Sequence, residues 1–115
     1  MKEIRVGLIG FGTIGTGVAK ILKNNQEVIE KRLGASVSLV KIADLDIKTD
    51  RGIDIEEGVL TTSVEEVIDN PDIDIVVELI GGYEPARTFL LNAINNNKHV
   101  AVSYTHLTLP TIYSV

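Results

Sequence analysis

The chain has 115 residues, 44% of them apolar and 23% charged, enough to enclose one core and too few for a second domain. Its formal net charge of −5 argues against binding a nucleic-acid backbone, which requires clustered Lys and Arg, and the absence of cysteine excludes disulfides, thiolate metal sites and a Cys nucleophile. No apolar run approaches the roughly 18 residues of a membrane span and no signal-peptide pattern precedes the first strand, so a cytoplasmic protein without membrane contact is expected.

Ile4 to Ile9 (IRVGLI) is short, β-branched and bounded by Gly10, the pattern of a buried parallel strand. From Thr13 the period becomes helical, with Ile14, Val18, Ile21 and Leu22. Asn24-Asn25 interrupts it before a second helical stretch carrying Val28, Ile29 and Leu33, and Gly34 is the expected stop. Ser36 to Ala43 (SVSLVKIA) predicts the second strand and Val59 to Thr61 a short third one. In TTSVEEVIDNPD, Thr62 and Ser63 each have a Glu three positions on, the spacing of a capping box, and Asn70-Pro71 closes that helix. Asp72 to Ile80 (DIDIVVELI) predicts a strand ending at Gly81-Gly82. Pro85 then suits the first turn of a helix with Phe89, Leu90, Ala93 and Ile94 on its apolar face, and His99 to Val102 predicts a fifth strand. Strands alternating with helices predict an α/β fold, a Rossmann-type doubly wound parallel sheet of about five strands.

Within this frame the run GFGTIG follows a strand and opens a helix, the one context in which a glycine fingerprint points to a dinucleotide. Gly10 can take the tight turn, Gly12 lets backbone approach a pyrophosphate, and Gly15 lets the helix pack closely. The N–H groups and positive helix end at Thr13 to Gly15 would attract the anion. A glycine-rich turn without a ligand is the alternative.

An acid at the end of the second strand completes such a site by accepting the hydrogens of the adenosine ribose hydroxyls. Asp44 stands there, 29 residues after Gly15 where roughly 20 are usual, and the additional helical stretch accounts for the difference. The alternative for Asp44 is a solvated turn residue. Asp46 is a weaker candidate for the same role. Lys48 and Arg51 read as surface charges, yet folded back they would receive a 2′-phosphate, which keeps NADP open beside NAD.

The stretches GLIGFGTIGTGVAKIL, KIADLD and above all DIVVELIGGYEPARTFLLNAINNNKHV resemble the N-terminal cofactor domain of homoserine dehydrogenase, over residues 1 to about 100. The resemblance implies a nicotinamide-dependent interconversion of homoserine and aspartate semialdehyde on the route to threonine and methionine, in an enzyme expected to be a homo-oligomer. It places Phe11, Thr13 and Ile14 with Gly10, Gly12 and Gly15 at the cofactor diphosphate, and Ile80, Gly81 and Gly82 near its nicotinamide half. Many relatives carry Arg where this chain has Asp44. An acid there repels a 2′-phosphate, so NAD is expected over NADP.

The resemblance stops at about residue 102, where a family lysine is replaced by Thr105, and residues 103–115 contain no charged side chain. The expectation is a truncated dinucleotide-binding domain over 1–102 followed by a non-native or disordered tail over 103–115. No catalytic residue is expected. Glu78 and Glu84 read as a strand-end and a helix-start acid, His99 as a strand-edge residue and His106 as part of the tail, so the chain alone is expected to be inactive. Two other readings remain: a stand-alone dinucleotide-binding or sensing module, and the cofactor domain of another amino-acid or sugar dehydrogenase.

Overall fold

The computed structural model describes residues 2–80 and 86–102. Its elements are β1 (Lys2–Ile9), α1 (Thr13–Asn24), α2 (Gln26–Leu33), β2 (Ala35–Ala43), β3 (Leu60–Thr61), α3 (Glu65–Ile68), β4 (Ile75–Glu78), α4 (Ala86–Asn95) and β5 (His99–Val102). All strands pair in parallel in the order β3-β2-β1-β4-β5. The chain therefore leaves β1 in one direction through β2 and β3, then crosses to the other side of β1 for β4 and β5. Such a reversal opens a crevice beyond the C-terminal ends of β1 and β4, the place where open α/β sheets take ligands.

Alternation along β1 sends Val6 and Leu8 to one face and Ile9 to the other, giving two cores. Val6, Leu8, Phe11, Ala19 and Ile42 pack under α1. Ile9, Ala43, Val67, Ile68, Ile73, Val76 and Ala93 pack under α3 and α4. A parallel sheet covered on both faces is the arrangement that continuous apolar strands require.

The break between α1 and α2 falls at Asn25, whose amide and side-chain nitrogen both donate to the Ile21 carbonyl. Gly34 ends α2 in the left-handed conformation with its N–H on the Glu30 carbonyl. α2 buries none of its residues: Val28 and Leu33 are exposed and only Ile29 among its predicted apolar positions is half-buried. On α4, Leu90 and Ala93 turn inward while Ile94 is exposed.

Two local expectations are corrected. The predicted capping box does not form, because the Thr61 hydroxyl at the end of β3 takes the Glu66 carboxylate (2.6 Å) and Ser63 reaches Glu65, so α3 is a four-residue helix without a side-chain cap. The strand predicted from Asp72 is confined to Ile75–Glu78. Asn70 holds the Asp72 N–H in a turn. Asp74 meanwhile bridges neighbouring segments, its carboxylate accepting the Arg5 N–H and its carbonyl the His99 N–H. Pro85 lies outside the described residues.

Lys98 is buried at 7% exposure with its ammonium donating to the carbonyls of Asn70 (2.5 Å) and Ile73 (2.8 Å). It fastens the start of β5 to the turn before β4. Among the described residues no helix is long and apolar enough to cross a membrane.

Candidate dinucleotide site

The turn between β1 and α1 is shaped by steric demands that differ at each glycine. Gly10 has φ +107°, a conformation that side-chain-bearing residues rarely adopt, and its N–H donates to the Ala43 carbonyl at 2.8 Å. A Cβ on Gly15 would stand 2.2 Å from the Gly10 carbonyl oxygen, so only glycine lets α1 begin this close to the turn. Gly12 is the opposite case. It is the N-cap of α1, its carbonyl accepting the Thr16 N–H (2.8 Å), and a Cβ added there would meet nothing within 4 Å.

The start of α1 has neither a side-chain cap nor an acid in its first turn. Thr13 and Ile14 are exposed there, and the partial positive charge of a 12-residue helix faces outward with no carboxylate of its own helix to balance it. Open backbone at Gly12 beside an uncompensated helix end is a geometry that fits a phosphate group.

Asp44 follows β2 directly and is half-buried. Its Oδ2 accepts the Phe11 N–H at 2.6 Å and its Oδ1 accepts the Asp46 N–H at 2.8 Å, while its own N–H donates to the Thr61 carbonyl. The acid is thus brought to the glycine turn from 33 residues away in the chain. Phe11 sits differently from a surface contact: its ring is 2% exposed in the core under α1 and its amide is engaged by Asp44.

On the other side of the crevice, Leu79 continues the ladder by donating to the Ile9 carbonyl (2.8 Å), and the Leu79–Ile80 backbone stands against Gly10. Ile80 is exposed and its N–H donates to Glu78, whose side chain is 1% exposed. Gly81, Gly82, Glu84, Thr105 and His106 lie outside the described residues. His99 starts β5, at the end of the sheet opposite the crevice.

Asp46 has a larger part than its position in the sequence announced. Its carboxylate accepts the Thr49 hydroxyl (2.5 Å) and the N–H groups of Thr49 and Lys48 (3.1 Å each), and it pairs with Arg51 at 3.4 Å. These bonds, the Thr49 hydroxyl foremost, lower its pKa from the ordinary 3.8 to about 2. The Arg51 guanidinium in turn stands over the Phe11 ring, 5.9 Å from its centroid. Lys48 is exposed. Among the described residues no group of His, Asp or Glu is placed to hold a metal.

Strand order, glycine turn, bare helix start and acid after β2 together define a dinucleotide-binding α/β domain. Sequence comparison is consistent with that class and narrows it: residues 10–108 match the homoserine dehydrogenase NAD-binding domain, and the chain belongs to that family. It is similar to the homoserine dehydrogenase of Bacillus subtilis, 43% identical over 103 residues that make up 90% of this chain and 24% of that protein. Similarity to the Methylobacillus glycogenes homoserine dehydrogenase is 42% over 90% of this chain and 25% of that one. Among solved structures, Staphylococcus aureus homoserine dehydrogenase superposes with a TM-score of 0.84 at 33% identity, over 98% of this chain and 28% of that one. The Thiobacillus denitrificans enzyme gives 0.79 at 45% identity, over 89% and 23%. The chain therefore spans about a quarter of the length of the relatives it matches, and the ligand class of its family is a nicotinamide dinucleotide.

Proposed function

We propose that this chain is the cofactor-holding part of a cytoplasmic homoserine dehydrogenase and that it takes NAD in preference to NADP. The observation that carries the reading is the tie between the turn and the acid: Phe11 N–H on Asp44, with open backbone at Gly12 beside it. In this reading the diphosphate rests on the backbone of Gly10, Gly12, Thr13, Ile14 and Gly15, and Phe11 acts from beneath by anchoring the turn in the core. Asp44 keeps acceptor capacity for the ribose hydroxyls after its two backbone bonds, since an ionised carboxylate has about four lone-pair sites. Its charge opposes a 2′-phosphate at the same place. Ile80, Gly81 and Gly82 flank the nicotinamide half.

Bound nicotinamide supplies or accepts a hydride. The residues described here bind and orient it. Polarising the substrate carbonyl and holding the amino-acid groups need donors that are not gathered at the crevice among the described residues, so we assign these tasks to the part of the relatives that has no counterpart in this chain. Calorimetric titration with NAD+, NADH, NADP+ and NADPH tests the reading: binding of the NAD forms with weaker binding of the NADP forms supports it, and equal or tighter binding of the NADP forms overturns the preference.

A further inference from the structure

The loop after β2 contains a cation held against the glycine turn from the outside. Arg51 stacks on Phe11, the same residue whose amide is bound by Asp44, and it is paired through Nη2 to Asp46, whose own N–H is bound by Asp44. Asp44, Phe11, Arg51 and Asp46 form a closed ring of contacts around the end of β2. Within it the guanidinium is only partly used: the Arg51 Nε is buried and has no hydrogen-bond partner among the described residues. A guanidinium recognises a phosphate with two parallel N–H groups, and a fork turned onto a ring and a carboxylate cannot present them.

We propose that Asp46 is a specificity-determining residue that excludes NADP by latching Arg51 onto Phe11, so that its guanidinium is withheld from a 2′-phosphate. The inference rests on the reading of Asp44 as the ribose acid, and it adds a second means of selection to the repulsion by Asp44. Asp46 is suited to the task because it remains ionised down to about pH 2. Its bonds to Thr49 and Lys48 also fix the turn from which Arg51 returns to the ring. Releasing the latch converts Arg51 from a neutralised group into a free hydrogen-bond donor to a phosphate.

The test is a double-mutant cycle on the whole chain, read as the ratio of NADP+ to NAD+ affinity, with 2′,5′-ADP against 5′-AMP as probes differing by the 2′-phosphate alone. Asp46→Asn keeps a side-chain carbonyl for the turn amides and removes the charge that holds Arg51; Asp46→Ser serves the same purpose if the first variant does not fold. The expected result is a rise of about tenfold in both ratios, abolished in the Asp46→Asn, Arg51→Ala double variant, with Arg51→Ala alone changing them less than twofold. A ratio unmoved by the Asp46 variants overturns the latch. So does a gain that survives in the double variant, which assigns it to the lost carboxylate charge, or a large loss in Arg51→Ala alone, which means that Arg51 already meets the phosphate. Failure of the unmodified chain to bind either dinucleotide overturns the cofactor reading and the latch with it, whereas normal NAD+ binding with any of the three adverse ratios overturns the latch alone.

Discussion

The Phe11 amide and the Asp44 carboxylate meet at 2.6 Å, joining the turn after β1 to the end of β2. The bond is charge-assisted and partly buried, so it serves both stability and ligand geometry. Asp44→Ala is expected to lower unfolding free energy by about 1–3 kcal/mol through the stranded Phe11 N–H, measured by urea denaturation, and to weaken NAD+ binding at least tenfold. Asp44→Asn, which still offers an acceptor, should recover much of the stability and little of the binding.

Gly12 and Gly15 are three residues apart and should respond in opposite ways. Gly15→Ala drives a methyl to 2.2 Å from the Gly10 carbonyl and is expected to cost roughly 1–3 kcal/mol or more, as overpacking does. Gly12→Val places its side chain in open space, so the fold should persist within about 1 kcal/mol while dinucleotide binding is lost. Thermal melts paired with titrations separate the two effects. A Gly12→Val chain that binds normally would put the phosphate elsewhere.

The Asp46 carboxylate should titrate near 2 when followed by its carboxyl 13C shift, with the Lys48 and Thr49 amides moving in step. The folded pKa is depressed, so the order it gives the loop is fully present above the ordinary 3.8 and is lost as pH falls through about 2. A midpoint at the ordinary value would mean that the Thr49 and Lys48 bonds are not formed in solution.

Lys98 donates to two main-chain carbonyls with its ammonium buried. Lys98→Met fills the space of the stem and leaves both carbonyls unpaired, with an expected loss of about 1–3 kcal/mol in chemical denaturation. NAD+ affinity should change little, because Lys98 lies at the end of the sheet away from the crevice.

What could be read from the sequence was what short-range pattern encodes. The apolar run Ile4–Ile9, the glycines after it and the acid after Ala43 each carry their meaning within a few residues, so the parallel sheet and the turn-and-acid pair were legible. The capping box was not. Thr62 and Ser63 have the right spacing, but Thr61, placed by its pairing in β3, captures Glu66 first. The resemblance sets Phe11 at the cofactor diphosphate with the glycines around it, and only the closure of α1 onto the sheet shows that its ring belongs to the core. Asp46 and Arg51 are five apart in a polar loop, and their significance arises from Phe11, 40 residues distant from Arg51 in the chain. Lys98 follows three asparagines and resembles any exposed turn lysine until β4 and β5 are set side by side.

A dinucleotide lying across the glycine turn must perturb the amides around it, and chemical-shift mapping on addition of NAD+ reads them one by one. The expected result is that the amides of Gly10 to Gly15, Asp44 and Ile80 shift together and saturably, while those of His99, Lys98 and α2 do not. Shifts confined to α2 or to the start of β5, or none at all at saturating NAD+, would contradict it.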